Sequence, residues 1–279
     1  MKADLHMHST ASDGMLAPQA LAGRAAQEGF DLIALTDHDS VEGIAKAKEA
    51  GHALGMRVLA GVELSCGAEK EIHLLGYGFD PQHPHLLDFC RMKRQSRETR
   101  AMEMAARLEQ AGKPIDFEYV RTIAKGAFGR PHVAQALVHA GHASSITDAF
   151  DRYLRPGKPG YAPKPHVKVA DAIELIHEAG GIAVLAHPME LRVGDAMLIS
   201  LIEEWKAQGL DGIEVYHPSA QNNHARFLDG LARSEGLLVT GGSDFHRDGE
   251  KDVRLGQGLE RWTTTADDVQ RLLERLSMA

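Results

Sequence analysis

The sequence predicts an α/β fold: a barrel-like domain of mainly parallel strands with crossover helices, interrupted by a helical insertion. Three observations carry this reading. Short apolar runs alternate with stretches of helical periodicity in both terminal parts of the chain. Three late runs, GIAVLAH (181–187), GLDGIEVYH (209–217) and GLLVTGGSDFH (236–246), share one form: glycine, four or five apolar residues, then polar or charged ones. The region from about Pro81 to Pro165 carries helical patterning and few strand signals.

The elements follow in order. Ala3 to Leu5 is a short strand leading into a loop. Pro18 to Gly29 has helical spacing, with Pro18 suited to a first turn. FDLIALT (30–36) is a strand, and Val41 to Leu54 a helix closed by Gly55. MRVLAGVEL (56–64) and EIHLLGYGF (71–79) are strand-like. Leu86 to Gln110 is a long, charged helix with RMKRQSRETR on its outer face. Residues 116–124, 131–140 and 145–154 form shorter helices, and RPGKPGYAPKP (155–165) is a loop returning to the barrel. Asp195 to Gln208 and Asn222 to Ser234 are the helices between the three late strands. The expected division is therefore a barrel of residues 1–80 and 166–279 with a helical cap of residues 81–165.

At 279 residues and 43% hydrophobic, the chain can bury a sizeable core. It has no apolar run long enough to span a bilayer, and its start lacks the basic and apolar regions of a signal peptide. A cytoplasmic protein without a membrane partner is expected. Cys66 and Cys90 lack a CxxC partner and are expected to be reduced thiols. A net charge of -8 argues against duplex DNA as a partner. It is compatible with a nucleotide or short oligoribonucleotide, because bound cations reverse the local sign. The sequence is silent on oligomeric state.

The sixteen histidines are informative through their placement. His6 and His8 alternate in an extended segment, so both face one way, with Asp13 close by. Two imidazoles on one face at a strand end suit a divalent metal. His38, in TDHD, ends the FDLIALT strand, where an α/β barrel keeps its active site; Asp37 or Asp39 beside it, Asp39 first, could cap the following helix. Glu63 lies in an apolar run, where an unpaired carboxylate is costly and a bridge between two ions, or a basic partner, resolves the cost. His73, His187 and the pair Asp244 and His246 complete the set, the pair repeating the spacing of His6 and His8. Alone, each reads equally as a loop or core residue. Together they read as a metal site.

DLHMHSTASDG, LTDHD, GVELS, IHLLGYG, AHP and GGSDFH resemble, in order, the motifs of the polymerase and histidinol phosphatase (PHP) family of the amidohydrolase superfamily. That resemblance covers residues 1–80 and 180–256. It implies a distorted seven-stranded (β/α)7 barrel holding two or three divalent ions, manganese first, with iron or zinc as alternatives. Carried over by position, it implies that His6, His8, Glu63 and Asp244 surround one ion. Glu63, His73 and His187 would hold a second, and Asp13, His38 and His246 a third. In the insertion, GRPH (129–132) and KPGYAPK (158–164) are similar to a subgroup of 3′,5′-nucleoside bisphosphate phosphatases and short-RNA 5′-exonucleases.

The expected activity is removal of the 3′-phosphate from a nucleoside 3′,5′-bisphosphate, with trimming of short 5′-phosphorylated oligoribonucleotides. Paired ions lower the pKa of a bound water, supplying a hydroxide nucleophile, and neutralise charge on the phosphoryl oxygens. Arg130, Lys158, Tyr161 and Ser12 are the expected substrate contacts, Arg130 because its planar fork matches phosphate. Arg130, His132 and His217 are candidates for a catalytic role, the two histidines as leaving-group acid. Glu214 is a candidate support for a ligand. Alternatives are a histidinol-phosphate phosphatase or other phosphomonoesterase, a non-catalytic nucleic-acid-associated module, and amide or lactone hydrolysis on the same barrel.

Overall fold

A computed structural model describes the chain apart from residues 68–70, 125–127, 164–165, 221, 249–253, 257–264 and 279. Residues 221 and 249–253 of the 180–256 match, residues 68–70 of the 1–80 match, and Lys164 in KPGYAPK lie outside the described residues. The chain divides into two compact units, residues 1–88 with 166–279, and residues 89–165. The division falls inside a 27-residue helix, Pro84–Gln110.

The first unit is a seven-stranded sheet in sequential order. Its strands are β1 (Ala3–Asp4), β2 (Leu32–Leu35), β3 (Arg57–Cys66), β4 (Ile72–Tyr77), β5 (Ile182–Leu185), β6 (Gly212–Tyr216) and β7 (Leu238–Gly241). Helices α1 (Pro18–Gln27), α2 (Ile44–Ala53), α7 (Val169–Glu178), α8 (Asp195–Ala207), α9 (Asn222–Ser234) and α10 (Ala266–Met278) belong to the same unit. Pro18 sits in the first turn of α1, and Gly55 follows α2 with φ +72°. The second helix begins at Ile44, later than the expected Val41.

The strands are not uniformly parallel. β4 runs antiparallel to both β3 and β5. The cause is the length of the link: β3 ends at Cys66 and β4 starts at Ile72. Five residues cannot carry a crossover helix, so the chain must turn back as a hairpin.

Alternation sorts the side chains of β2. Ile33 and Leu35 pack outward with Leu21 and Ala25 of α1, while Leu32 and Ala34 join Leu5, Leu75, Tyr77, Ile182 and Val184 in an inner core. Val269 and Leu272 of α10 belong to that inner core and are fully buried. They fill the end of the barrel where the parallel strands begin. The Tyr77 hydroxyl crosses the interior to donate to the Leu5 carbonyl at 2.8 Å.

β7 and the segment after β1 close the ring. Leu5 N–H donates to Gly241 O, Asp244 N–H to His6 O, and His8 N–H to Phe245 O, at 3.1, 2.9 and 2.9 Å. A side chain at Gly242 would have no room: a Cβ there would lie 2.2 Å from the His6 Cβ. Asp4, buried, braces the seam by accepting from Ser243 N, Ser243 Oγ and Gly256 N. Cys66 is buried, and its Sγ donates to the Ile72 carbonyl at 3.2 Å.

The second unit packs the rest of α3 (Pro84–Gln110) with α4 (Phe117–Ala124), α5 (Arg130–His139) and α6 (Ile146–Ala149). A π-helical turn over Phe150–Leu154 completes it. Leu108, Val120, Val133, Leu137 and Leu154 are its fully buried centre. No helix among the described residues is long and apolar enough to cross a membrane.

Leu272→Ala removes a fully buried side chain from the inner core. It is expected to lower the unfolding free energy by about 2–5 kcal/mol, read as a lower denaturant midpoint at unchanged slope.

Candidate metal centre

Each strand delivers its polar residue to one rim of the first unit by a local rule. His6 and His8 lie two apart in the segment beside β7, so both imidazoles face inward, with ring centroids 5.2 Å apart. The loop that follows carries Asp13. Asp37 fixes it by accepting from Ser9 N, Ser9 Oγ and Ser12 Oγ, each at 2.7 Å. Ser12, an expected substrate contact, therefore has its hydroxyl proton committed to Asp37.

Glu63 sits inside β3 and is fully buried. Its carbonyl accepts from Asp39 N at 2.9 Å, and Asp39 Oδ1 accepts from Ser65 N at 2.9 Å. Asp39 thus clamps the β3 backbone just after Glu63, on either side of Leu64, from a backbone φ of +46°. This corrects the expectation that Asp39 caps α2, whose N-cap is Gly43.

His73 opens β4 rather than ending a strand. Because β4 is antiparallel, its beginning lies at the rim where its parallel neighbours end. Ser65 pairs with His73 and Glu63 with Leu75, so Glu63 and His73 are diagonal neighbours on one face. His187 follows β5 with φ +26°, and Asp244 follows β7 with φ +51°. Left-handed backbone at a residue bearing a Cβ costs on the order of 1–3 kcal/mol and persists where the surroundings over-determine it.

These residues converge on Glu63. Its Oε2 lies 3.3 Å from His6 Nε2, 3.2 Å from His8 Nε2 and 2.9 Å from His38 Nδ1. Its Oε1 lies 2.7 Å from His73 Nδ1 and 2.9 Å from His187 Nε2. Asp244 Oδ1 stands 3.4 Å from His6 Nε2 and 3.1 Å from His8 Nε2. Asp13 lies 3.3 Å from His246 Nε2 and 3.9 Å from both His8 Nδ1 and His38 Nε2. Potential ligand atoms of His6, His8, Glu63 and Asp244 all fall within 4.8 Å of one another. So do those of His8, Asp13, His38 and His246, and those of His38, Glu63 and His73. His8 therefore stands in two groups, and His38 stands beside the pair of Glu63 and His73.

The electrostatics show what this packing costs. Burial alone would lower the His8 and His73 imidazoles; carboxylates at hydrogen-bonding distance, Asp244 and Glu63 for His8 and Glu63 for His73, instead push both up to about 10. Burial would raise Glu63, but the surrounding imidazoles, His38 first, hold it well below the usual carboxylate range. His38 is lowered, chiefly by burial.

Hydrogen bonding nevertheless leaves seven buried atoms unsatisfied: His6 Nε2, His8 Nδ1, His8 Nε2, His38 Nδ1, Glu63 Oε2, His73 Nε2 and His217 Nε2. Each buried group left without a well-aligned partner costs about 1–3 kcal/mol. Cations among these atoms, His217 Nε2 apart, remove most of that cost. Imidazole nitrogens with carboxylate oxygens are a donor set that manganese, iron and zinc all accept. The residues present fit divalent ions.

Two residues on β6 join the cluster. Glu214 Oε1 lies 2.9 Å from His6 Nδ1, and its Oε2 accepts from the His187 backbone N–H at 2.8 Å. His217 Nδ1 accepts from Ser219 N at 3.0 Å, and its Nε2 faces Asp244 Oδ2 at 3.5 Å. Sequence reasoning missed Asp4, Asp37 and Ser243. The signal for them was weak: short polar residues beside histidines, whose role depends on a partner far away in the chain.

In the second unit, Arg130 opens α5, its guanidinium 5.8 Å from the Phe150 ring centroid. His132 Nδ1 accepts from Gly129 N at 3.1 Å and so caps the same helix. Lys158 is exposed and Tyr161 partly exposed, in the loop after the π-helical turn.

Protons and metal ions compete for the same imidazoles. The raised His8 and His73 values stabilise the metal-free fold below about pH 6.5, and this contribution is lost as pH rises towards about 10. Metal affinity rises over the same window. The gain in thermal midpoint on adding manganese is expected to widen steadily from about pH 6 to about pH 9, as differential scanning fluorimetry would record.

Known proteins agree with this geometry. The model of the PHP domain family matches residues 4–156. The chain is 39% identical over 248 residues to the 5′-3′ exoribonuclease Rnm of Escherichia coli, covering 88% of this chain and 85% of that one. It is 38% identical over 256 residues to a 3′,5′-nucleoside bisphosphate phosphatase of Chromobacterium violaceum, covering 91% and 90%. A solved amidohydrolase from Chromobacterium violaceum, with bound sulfate and no metal, superposes with a TM-score of 0.81 at 35% identity, covering 99% and 97%. A candidate metal-dependent phosphoesterase from Bifidobacterium adolescentis gives 0.82 at 32%, covering 99% and 96%. With the barrel, the convergent histidines and these relatives together, the chain belongs to the PHP domain family.

Proposed function

We propose that this protein is a metal-dependent phosphoesterase that removes the 3′-phosphate of nucleoside 3′,5′-bisphosphates, leaving a 5′-nucleotide and phosphate. Short 5′-phosphorylated oligoribonucleotides are the second proposed substrate. The observation that carries the reading is the convergence of five imidazoles on the buried Glu63 carboxylate. The relatives narrow it, since one is a nucleoside bisphosphate phosphatase and another a 5′-3′ exoribonuclease.

In this reading His6, His8, Glu63 and Asp244 would hold one ion, Glu63, His73 and His187 a second, and Asp13, His38 and His246 a third. Manganese is the proposed resident metal. When bound, such ions activate water and neutralise the developing phosphoryl charge. The protein's own groups do the rest. The His217 Nε2–H, its direction fixed by Ser219, is a donor for the leaving oxygen. Arg130, with Lys158 and Tyr161, supplies charge-assisted hydrogen bonds to the phosphate that is retained.

Phosphate release from adenosine 3′,5′-bisphosphate, AMP and histidinol phosphate tests the proposal. The bisphosphate is expected to yield AMP and one phosphate, and AMP is expected to survive. Arg130→Ala is expected to lower kcat/KM for the bisphosphate by about 10- to 100-fold, the value of one charged hydrogen-bonding group. Hydrolysis of histidinol phosphate alone would retain the metal centre and reject the nucleotide reading.

A further inference from the structure

We infer that Glu214 is a positioning residue of the metal centre: its buried carboxylate fixes the tautomer of His6 and the backbone of His187. The inference rests on the metal-dependent reading above. Glu214 lies on β6, which supplies none of the nine residues that resemblance assigns as ligands.

The geometry is specific. Glu214 is fully buried, and each of its oxygens has one partner. Oε2 takes the His187 N–H, which can only donate. Oε1 faces His6 Nδ1 at 2.9 Å. An ionised carboxylate only accepts, so His6 Nδ1 must carry the proton. His6 Nε2, one of the orphaned atoms, faces Glu63 and Asp244, and it is the nitrogen that would offer its lone pair to an ion held there. The same carboxylate anchors His187 in a left-handed conformation that an unsupported residue would leave. One side chain thereby aims ligands from two different strands. A carboxylate on the far nitrogen of a metal-binding histidine commonly does this work.

Glu214, His6 and His217 also lie close enough to suggest an ion site of their own. Hydrogen bonding argues against it. Both Glu214 oxygens are engaged, and His217 Nδ1 accepts a backbone N–H, which leaves its Nε2 protonated in the neutral ring.

Glu214→Gln is the discriminating change, because it is isosteric. The His187 N–H requires an acceptor, so the amide oxygen takes the Oε2 position and the NH2 group faces His6. His6 must then accept at Nδ1 and carry its proton at Nε2, where the ion should bind. Calorimetric titration with manganese is expected to show a 10- to 100-fold loss of affinity for Glu214→Gln, with unchanged circular dichroism. Glu214→Asp, which keeps an acceptor-only group, is expected to recover most of that loss.

Long-range proton–nitrogen NMR of the zinc-loaded wild type supplies an independent readout. His6 is expected to show a proton on Nδ1 and a metal-shifted Nε2. His6 coordinating through Nδ1, or Glu214→Gln binding manganese as the wild type does, overturns the inference alone. A wild type that takes up no divalent ion overturns the metal reading beneath it.

Discussion

The fully buried Glu63 carboxylate meets five imidazoles. A carboxylate offers about four lone-pair positions, so one carboxylate cannot satisfy five nitrogens by hydrogen bonding. Were the rings neutral with their free nitrogens aimed at it, lone pairs would face lone pairs. Were all of them protonated, several buried cations would share one buried anion. Positive ions placed between them resolve both problems at once, and the rest of the rim is arranged to hold that geometry. Asp39 clamps the strand just after Glu63, Asp37 fixes the loop of Asp13, and Asp4 locks the seam beside His6.

The barrel makes such a concentration of charge tolerable. Its opposite end is filled by α10 and the inner core, so the polar rim is supported by dry packing. The antiparallel β4 contributes as well. A parallel strand could not place its first residues at this rim, and His73 is the second residue of β4. The hairpin between β3 and β4 is therefore part of the site's construction. So are the left-handed residues Asp39, His187 and Asp244, each at a strand end and each held by hydrogen bonds or crowding that an isolated loop would lack.

Much of this was legible in the sequence. The period of two in His6 and His8, repeated in Asp244 and His246, announces a shared face. Apolar runs ending in polar clusters announce strand ends. The family motifs supplied His73, which no periodicity would have selected. The mainly parallel order of the strands was legible, whereas the reversal of β4 was left unassigned although the five-residue link before it already contained the answer. Asp39 was misassigned because a short acidic residue before a helix resembles a cap, and only the tertiary structure reveals Ser65 as its partner. The constraint on Ser12 was hidden for the same reason, since Asp37 is remote in sequence. Glu214 was noticed, but its two partners, His6 and His187, lie on strands that only the closed barrel brings together.

The measurement closest to the central claim is X-ray diffraction from crystals grown with manganese, recorded where manganese scatters anomalously. The account predicts anomalous peaks among Glu63, Asp244 and the imidazoles of His6, His8, His73 and His187. Ordered crystals with manganese in excess and no anomalous peak at that rim would contradict it, and the convergence on Glu63 would then require another explanation.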